Sequence, residues 1–187
     1  LVFDRSEPDS SLVLALLDTP WVQRLRNIRQ TGNTHLVYMF SEHSRFGHSL
    51  GVAYLAIVLM KNLARSAPDL VLPFREAVAA AALLHDVGHT APGSHLAERI
   101  WSNGRTHHES VSCQIIESDP AIRAVLDARH PRLAKLVQGI LLDNGELPPW
   151  TYSIISGGGW NADRGNWMIV DSALCSVSYG RYNVLAL

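Results

Sequence analysis

The chain has 187 residues, of which 47% are hydrophobic and 18% are charged. This balance excludes an intrinsically disordered chain and predicts a single domain, residues 1–187, with a sizeable core. The formal net charge of −1 gives no electrostatic reason to expect binding to nucleic acid or to a membrane. Two distant cysteines, no secretory signal pattern and no uninterrupted apolar run of membrane length favour a reduced, cytoplasmic setting.

Apolar residues recur at helical spacing almost throughout, without useful strand alternation, so the sequence predicts an all-α fold. A short helix through Leu17 leads to a second helix that begins at Pro20, behind the capping residue Thr19, and closes at Gly32. Its arginines are interpreted as a solvated face: Arg24, Arg26 and Arg29. Further helices are predicted over residues 44–64, 73–86, 96–101, 108–117, 121–128 and 131–142, and from 163 onward. The last helix is expected to turn these residues inward: Trp167, Val170 or Asp171, and Leu174. Residues 89–95 and 144–159 are interpreted as loops.

The pair His85-Asp86, followed by Gly88 and His89, places two unlike metal ligands at the end of an apolar helix. Adjacent helical residues point about 100° apart, so both reach the core only if a polar partner such as a metal ion is there. The alternative is an ordinary helix C-terminus with Gly88 as its cap, and the dipeptide alone leaves the two interpretations nearly even. His48 lies at the start of a second apolar helix. Two inward histidines and an adjacent aspartate favour the metal.

The ordered set of His48, His85-Asp86 and a distant Asp163 resembles the HD superfamily of metal-dependent phosphohydrolases. Within it, the chain is most similar to the deoxynucleoside triphosphate triphosphohydrolase branch, some members of which also carry a SAM domain. The matching blocks are residues 17–20, 23–26, 29–32, 43–52, 85–89, 94–95, 108–110 and 162–164. The resemblance implies a helical HD bundle that looks like the N-terminal part of a longer architecture.

The resemblance implies that one divalent metal is held by His48, His85, Asp86 and Asp163. This mixed nitrogen and oxygen set suits Mn, Fe, Co, Ni or Zn better than Mg, which prefers oxygen ligands. The implied catalytic acid/base is His95, with Glu98 to orient it and His108 to complete the group.

The resemblance also implies a nucleotide substrate. Its phosphates would be bound by Arg45, His89 and Arg164, and its sugar by Gln30 and Asp171. Asp18, Gln23 and Arg26 match residues that read an activating guanine nucleotide in regulated members, although the same stretch makes ordinary helical sense. A homo-oligomer is a further possibility that the resemblance suggests.

The chain departs from the family pattern at several positions. The family usually has Glu at Gly47, Asp at Asn161 and Asn166, Tyr at Trp167 and Arg at Val170, and the loop before His95 is one residue longer here. These departures leave three readings open. The chain is expected to release triphosphate from deoxynucleotides; the alternatives are a nucleotidase that releases orthophosphate and a module that binds metal and nucleotide without turnover.

Overall fold

The computed structural model of the chain describes residues 1–91, 93, 95–102 and 107–183. The α-helices are α1 (Pro8–Leu17), α2 (Pro20–Arg24), α3 (Arg45–Ala64), α4 (Pro68–Val71), α5 (Arg75–Leu84), α6 (His95–Ser102), α7 (His108–Ser118), α8 (Pro120–Arg129), α9 (Leu133–Leu141), α10 (Pro149–Ser156) and α11 (Ala162–Leu174). Short 3₁₀ helices span Leu25–Asn27, Gly32–Leu36 and Leu72–Phe74. The described residues form no β-strand, so the predicted all-α fold is confirmed.

Helix α5 is the centre of the bundle. Every residue from Ala77 to Leu84 is buried, and α5 packs against α1, α3 and α9. Five of those eight residues are alanines, and such small side chains let neighbouring helix backbones approach closely. Helix α3 packs against both α5 and α11. The C-terminal end of α5 therefore lies beside the N-terminal ends of α3 and α11, which bring side chains from three parts of the sequence together.

The helix predicted from Pro20 to Gly32 is shorter than the sequence indicates. α2 ends at Arg24, and the chain is extended at Ile28. There it meets the segment before α3: Arg45 N donates to Ile28 O at 2.8 Å, and Gln30 N donates to His43 O at 3.0 Å. These backbone hydrogen bonds between distant segments replace the local helix, and they place Gln30 next to the start of α3.

Helix α10 and the inner face of α11 also differ from the prediction. Pro148 and Pro149 predict a loop where α10 is found, but Pro149 occupies the first helical turn, where proline is tolerated. In α11 the buried residues are Ala162, Gly165, Asn166 and Ser172, whereas Leu174 is 40% exposed. The buried stripe of α11 is thus polar and small, and it fits against α3.

Helix α3 is, by length and composition, apolar enough to cross a membrane. The sequence argument about uninterrupted apolar runs does not capture this, because polar residues are spread along the helix. Half of its apolar window is buried inside the bundle, as in the core helix of a globular domain. Its first turns carry Arg45 and His48, both of which face the centre described below.

Candidate metal centre

A cavity of about 890 Å³ opens where the helix ends converge. It is lined by His85, Asp86 and His89 from the end of α5, by Asp163, Trp167 and Asp171 from α11, and by residues of α7, α9 and α10. Gln30 and Arg45 complete the wall on the side of α3. The cavity therefore collects most of the residues that the sequence analysis singles out.

The four residues predicted as metal ligands lie close together: His85, Asp86 and Asp163 line the cavity, and His48 lies behind them. His48 Nε2 is 2.9 Å from Asp163 Oδ1 and 3.8 Å from Asp86 Oδ2, and His85 Nε2 is 3.4 Å from Asp86 Oδ1. The ligand atoms of His48, His85 and Asp163 all lie within 4.8 Å of one another. Neighbouring ligand atoms of one ion are separated by roughly 3 Å when each bond is about 2.1 Å long. The spacing therefore suits a single bound ion.

The hydrogen bonds of the two imidazoles also fit a metal. His85 Nδ1 lies 2.8 Å from the carbonyl oxygen of Ala82, and His48 Nδ1 lies 2.9 Å from Asn166 Oδ1. Both partners are acceptors, so Nδ1 donates in each ring and the Nε2 lone pair remains available. Both Nε2 atoms are buried and form no well-oriented hydrogen bond to a described residue. The residues present therefore fit a divalent ion.

Asp86 is the most enclosed carboxylate of the centre. Its Oδ2 accepts a hydrogen bond from Arg45 Nη1 at 2.6 Å, and its Oδ1 lies 3.3 Å from His89 Nε2. Burial acts to raise the pKa of Asp86, but His85, Arg45 and His89 outweigh it and hold that pKa well below its usual range. Asp86 is therefore ionised at neutral pH and available as a ligand.

A second group, Asp86, His89 and His108, is close enough to suggest another ion. The rings of His89 and His108 are, however, stacked, with centroids 3.9 Å apart and planes 20° apart. Imidazole lone pairs lie in the ring plane, so two nearly parallel rings stacked face to face cannot both aim at one ion. This pair is better suited to hydrogen-bond the oxygens of a bound ligand.

Burial determines the charge of His89. It lowers the pKa of His89 to about 4 despite the opposing effect of Asp86. At neutral pH the ring is therefore a neutral hydrogen-bonding group. Burial likewise lowers the pKa of His108, which Asp86, Glu109 and Glu98 oppose.

Of the predicted catalytic group, the structure brings Glu98 and His108 together. Glu98 accepts a hydrogen bond from the backbone nitrogen of His108 at 2.6 Å, and its other oxygen lies 3.4 Å from His108 Nδ1. His95 begins α6, one turn before Glu98. The prediction for its imidazole lies outside the described part of the chain.

Only some of the residues predicted to contact the nucleotide line the cavity. Gln30 and Asp171 line the cavity, and Asp171 Oδ1 lies 3.2 Å from His43 Nε2. Arg45 also lines it, although its guanidinium is largely engaged by Asp86 and by the carbonyl oxygen of Gly93. Arg164 is not brought to the cavity: it donates to the carbonyl oxygens of Gly158 and Gly159 at 3.0 Å each.

The residues matched to a guanine-nucleotide activator lie away from the cavity lining. Arg26 donates to Gln23 at 2.8 Å and stacks over the ring of Phe46 at 3.6 Å. Gln23 in turn donates to the carbonyl oxygen of Leu17. Asp18 caps the end of α1. Arg26 is exposed, as predicted for a solvated face, and it also covers the ring of Phe46.

Sequence reasoning missed Asn166 and Arg24 as supports of this centre. In the sequence, Asn166 stands out only as a departure from the family pattern. Its spacing of one helical turn from Asp163 nevertheless places both residues on the face of α11 that meets His48. That spacing could have predicted its position. Arg24 was interpreted as solvated, but it donates to the carbonyl oxygen of His89 at 2.9 Å. No local signal in the sequence indicates that contact, because its partner is 65 positions away.

Known proteins are similar in sequence to much of this chain. The uncharacterized protein YwfO of Bacillus subtilis is 35% identical over 179 residues, which cover 92% of this chain and 39% of YwfO. Deoxynucleoside triphosphate triphosphohydrolase SAMHD1 of Gallus gallus is 45% identical over 113 residues, which cover 57% of this chain and 18% of that protein.

Solved structures show the same architecture. A phosphohydrolase from Bacteroides thetaiotaomicron superposes with a TM-score of 0.77 at 28% identity, over 100% of this chain and 43% of that one. A hypothetical protein from Aquifex aeolicus gives a TM-score of 0.74 at 31% identity, over 94% of this chain and 46% of that one. This chain thus spans less than half the length of these relatives. The HD domain family model matches residues 45–141, and the chain therefore belongs to the HD domain family, whose members bind divalent metals.

Proposed function

We propose that this chain is a metal-dependent phosphohydrolase that acts on nucleotides and converts a deoxynucleoside triphosphate and water into a deoxynucleoside and triphosphate. The observation that carries the proposal is a single cavity with a metal-type ligand set at one wall and the polar side chains of Gln30 and Asp171 at another. A phosphate chain and a sugar need these two kinds of surface. The similarity to SAMHD1 over 113 residues supports the same reading.

The ion would be held by His48, His85, Asp86 and Asp163. When bound, it would polarise a phosphate oxygen and lower the pKa of a coordinated water. Two imidazoles in the set favour Mn, Fe, Co, Ni or Zn over Mg. The neutral rings of His89 and His108 would donate hydrogen bonds to phosphate oxygens, and Glu98 holds His108 in place for that purpose.

The proposed reaction adds water to the α-phosphorus and breaks the bond between that phosphorus and the ester oxygen of the sugar. The leaving oxygen needs a proton, and the attacking water has to lose one. His95 is the proposed acid/base for this exchange, because it begins α6 beside Glu98 and an imidazole can exchange protons near neutral pH. One imidazole can serve both steps, because its neutral form accepts a proton from the water and its charged form donates one to the leaving oxygen.

A nucleotidase that releases orthophosphate is the second candidate, and one observation favours it. Arg164 is bound to backbone carbonyls outside the cavity, and Arg45 is shared between Asp86 and Gly93. A triphosphate carries more negative charge than these engaged cations can readily balance. A substrate with fewer phosphates would need less compensation.

The test is an assay of the full chain loaded with Mn²⁺ against a panel of deoxynucleotides and ribonucleotides, with chromatographic separation of products. Release of triphosphate would support the first reaction, and orthophosphate alone would support the nucleotidase. Intact metal binding without any product would overturn both and leave a binding module.

Two variants sharpen this assay. His95→Ala is expected to abolish turnover and to retain metal, whereas loss of metal would show that His95 has been misassigned. His130→Ala serves as the matched control. His130 is exposed and does not line the cavity, so the KM of the active chain should stay within about twofold.

A further inference from the structure

The two imidazoles of the centre are oriented in different ways. The Nδ1 atom of His85 faces a backbone carbonyl, that of Ala82, one turn back on its own helix. The Nδ1 atom of His48 faces a side chain, that of Asn166, 118 positions away in the sequence. A backbone partner is present whatever side chain replaces Ala82, whereas the support of His48 depends on the identity of residue 166.

Helix α11 faces the ring of His48 at both nitrogens. Asp163 lies 2.9 Å from Nε2, and Asn166, one turn later, lies 2.9 Å from Nδ1. Asn166 is 7% exposed and His48 is 2% exposed, so water has little access to the hydrogen bond between them. The ring therefore cannot rotate without breaking its hydrogen bond to Asn166.

Helix α3 leaves room for Asn166 at Gly51. A Cβ atom added to Gly51 would overlap the amide nitrogen of Asn166 and would lie 2.7 Å from its Cγ. Gly51 is in the interior of α3, where glycine is less favourable than alanine. Close packing against Asn166 is a reason for glycine at this helical position.

We infer that Asn166 is a positioning residue that sets the tautomer and direction of His48, and thereby determines how tightly the centre holds its ion. The amide oxygen accepts the Nδ1 proton and leaves the Nε2 lone pair towards the ion. Because the amide is neutral, it orients the ring without raising its basicity as a carboxylate would. The inference rests on the proposed metal-binding function, and it adds a residue outside the four-ligand set.

The test measures Mn²⁺ affinity of the full chain by chelator competition, without any substrate. Asn166→Leu keeps the volume and removes the acceptor, and it is expected to weaken Mn²⁺ binding by roughly 10–100-fold. Asn166→Asp restores an acceptor and is expected to bind Mn²⁺ at least as tightly as the parent chain. Ser172→Ala is the matched control, since Ser172 is buried on the same helix and its hydroxyl donates to the carbonyl oxygen of Ile169.

A substitution in α3 tests the same contact between Asn166 and His48. Gly51→Ala is expected to displace Asn166 and to weaken Mn²⁺ binding by a similar factor. In a chain that already carries Asn166→Ala, the same change should add little, because the two residues act on one contact. The Co²⁺-loaded chain gives an independent readout, since a change in the orientation of His48 alters the visible spectrum of the ion.

Equal affinity of the parent chain and Asn166→Leu, with an unchanged Co²⁺ spectrum, would overturn the inference. A loss of equal size in Ser172→Ala would overturn it too, because the effect would then reflect general loosening of α11. Failure of the parent chain to bind Mn²⁺ or Co²⁺ would instead contradict the proposed function.

Discussion

The guanidinium of Arg24 donates a hydrogen bond to the backbone carbonyl oxygen of His89, which ties α2 to the loop that follows α5. A second, longer contact of 3.5 Å reaches the carbonyl oxygen of Val87. These carbonyls lie just past the C-terminus of α5, where the helix leaves backbone acceptors without internal partners. A cation is favourable there because it also complements the helix dipole.

Arg24→Met should therefore loosen the loop that carries His89. We expect the free energy of unfolding to fall by about 1 kcal/mol, since a charged hydrogen bond to a half-buried group is lost. Urea denaturation of the metal-free chain would measure it. Arg5→Met, at an exposed position near the N-terminus, should change stability by less than about 0.5 kcal/mol. Equal effects of the two substitutions would contradict the bracing role of Arg24.

Metal removal should lower stability by an amount that grows with the logarithm of the metal concentration relative to its Kd. A ligand present at 100 times its Kd stabilises the folded state by about 2.7 kcal/mol, because it binds the folded chain alone. We expect Mn²⁺ to raise the Tm of the parent chain and EDTA to reverse the rise. In His85→Ala the Tm should not respond to Mn²⁺, whereas His130→Ala, at an exposed histidine outside the cavity, should keep the full response.

Asp86→Asn is expected to destabilise the chain even without metal. Asp86 neutralises the buried guanidinium of Arg45, and removal of one partner of a buried ion pair costs about 3 kcal/mol. Asp163→Asn provides the comparison: it should also abolish metal binding, but it leaves no buried cation unpaired, so its cost in EDTA should be below about 1 kcal/mol. Urea denaturation of both variants in EDTA would separate the two effects.

The same pair predicts a dependence on pH. The folded chain holds the pKa of Asp86 well below its ordinary value of 3.8, so the carboxylate stabilises the fold fully above that value. This contribution is lost as the pH falls below 3.8 towards the lower folded pKa. In EDTA, the stability difference between the parent chain and Asp86→Asn should therefore shrink in acid, and a constant difference from pH 3 to pH 7 would contradict the assignment.

Gly88→Ala should be costly for a steric reason. A Cβ atom at Gly88 would overlap the backbone oxygen of His108 and would lie 2.5 Å from the backbone nitrogen of Ser112. Overpacking of this kind costs about 1–3 kcal/mol, and it would push α7 away from the end of α5. Gly47→Ala is the control: nothing lies within 4 Å of its added Cβ, and alanine is the better helix former. Thermal unfolding should show opposite signs for the two variants.

The spacing of apolar residues predicted the fold class. A helix that buries one face repeats its apolar residues at helical spacing, however the helices are arranged around it. It also indicated which ends of the helices matter, since His48 and His85 each end an apolar stripe. The order of the ligand residues then allowed the HD family to be recognised before any geometry was known, and the family match over residues 45–141 confirms that recognition.

The parts that the sequence did not predict depend on contacts between distant segments. The α-helix ends at Arg24 because Ile28 and Gln30 form backbone hydrogen bonds with the segment before α3. Arg24 looks solvated until the loop at His89 is placed next to it. Arg164 looks like a phosphate ligand until the glycine turn at Gly158 offers it carbonyl oxygens. In each case the local pattern is compatible with either outcome, and long-range packing selects one.

The hydrogen bond between Asn166 and His48 has a consequence for how short this protein can be made. The recognisable segment, residues 45–141, contains His48, His85 and Asp86, but Asp163 and Asn166 both lie beyond it. A fragment trimmed to that segment would still be identified by its motifs, yet it would lack one proposed ligand and the residue proposed to orient another. On this proposal, a metal-binding fragment of the chain has to extend through α11, and a bound ion would fasten α11 to the core of the bundle.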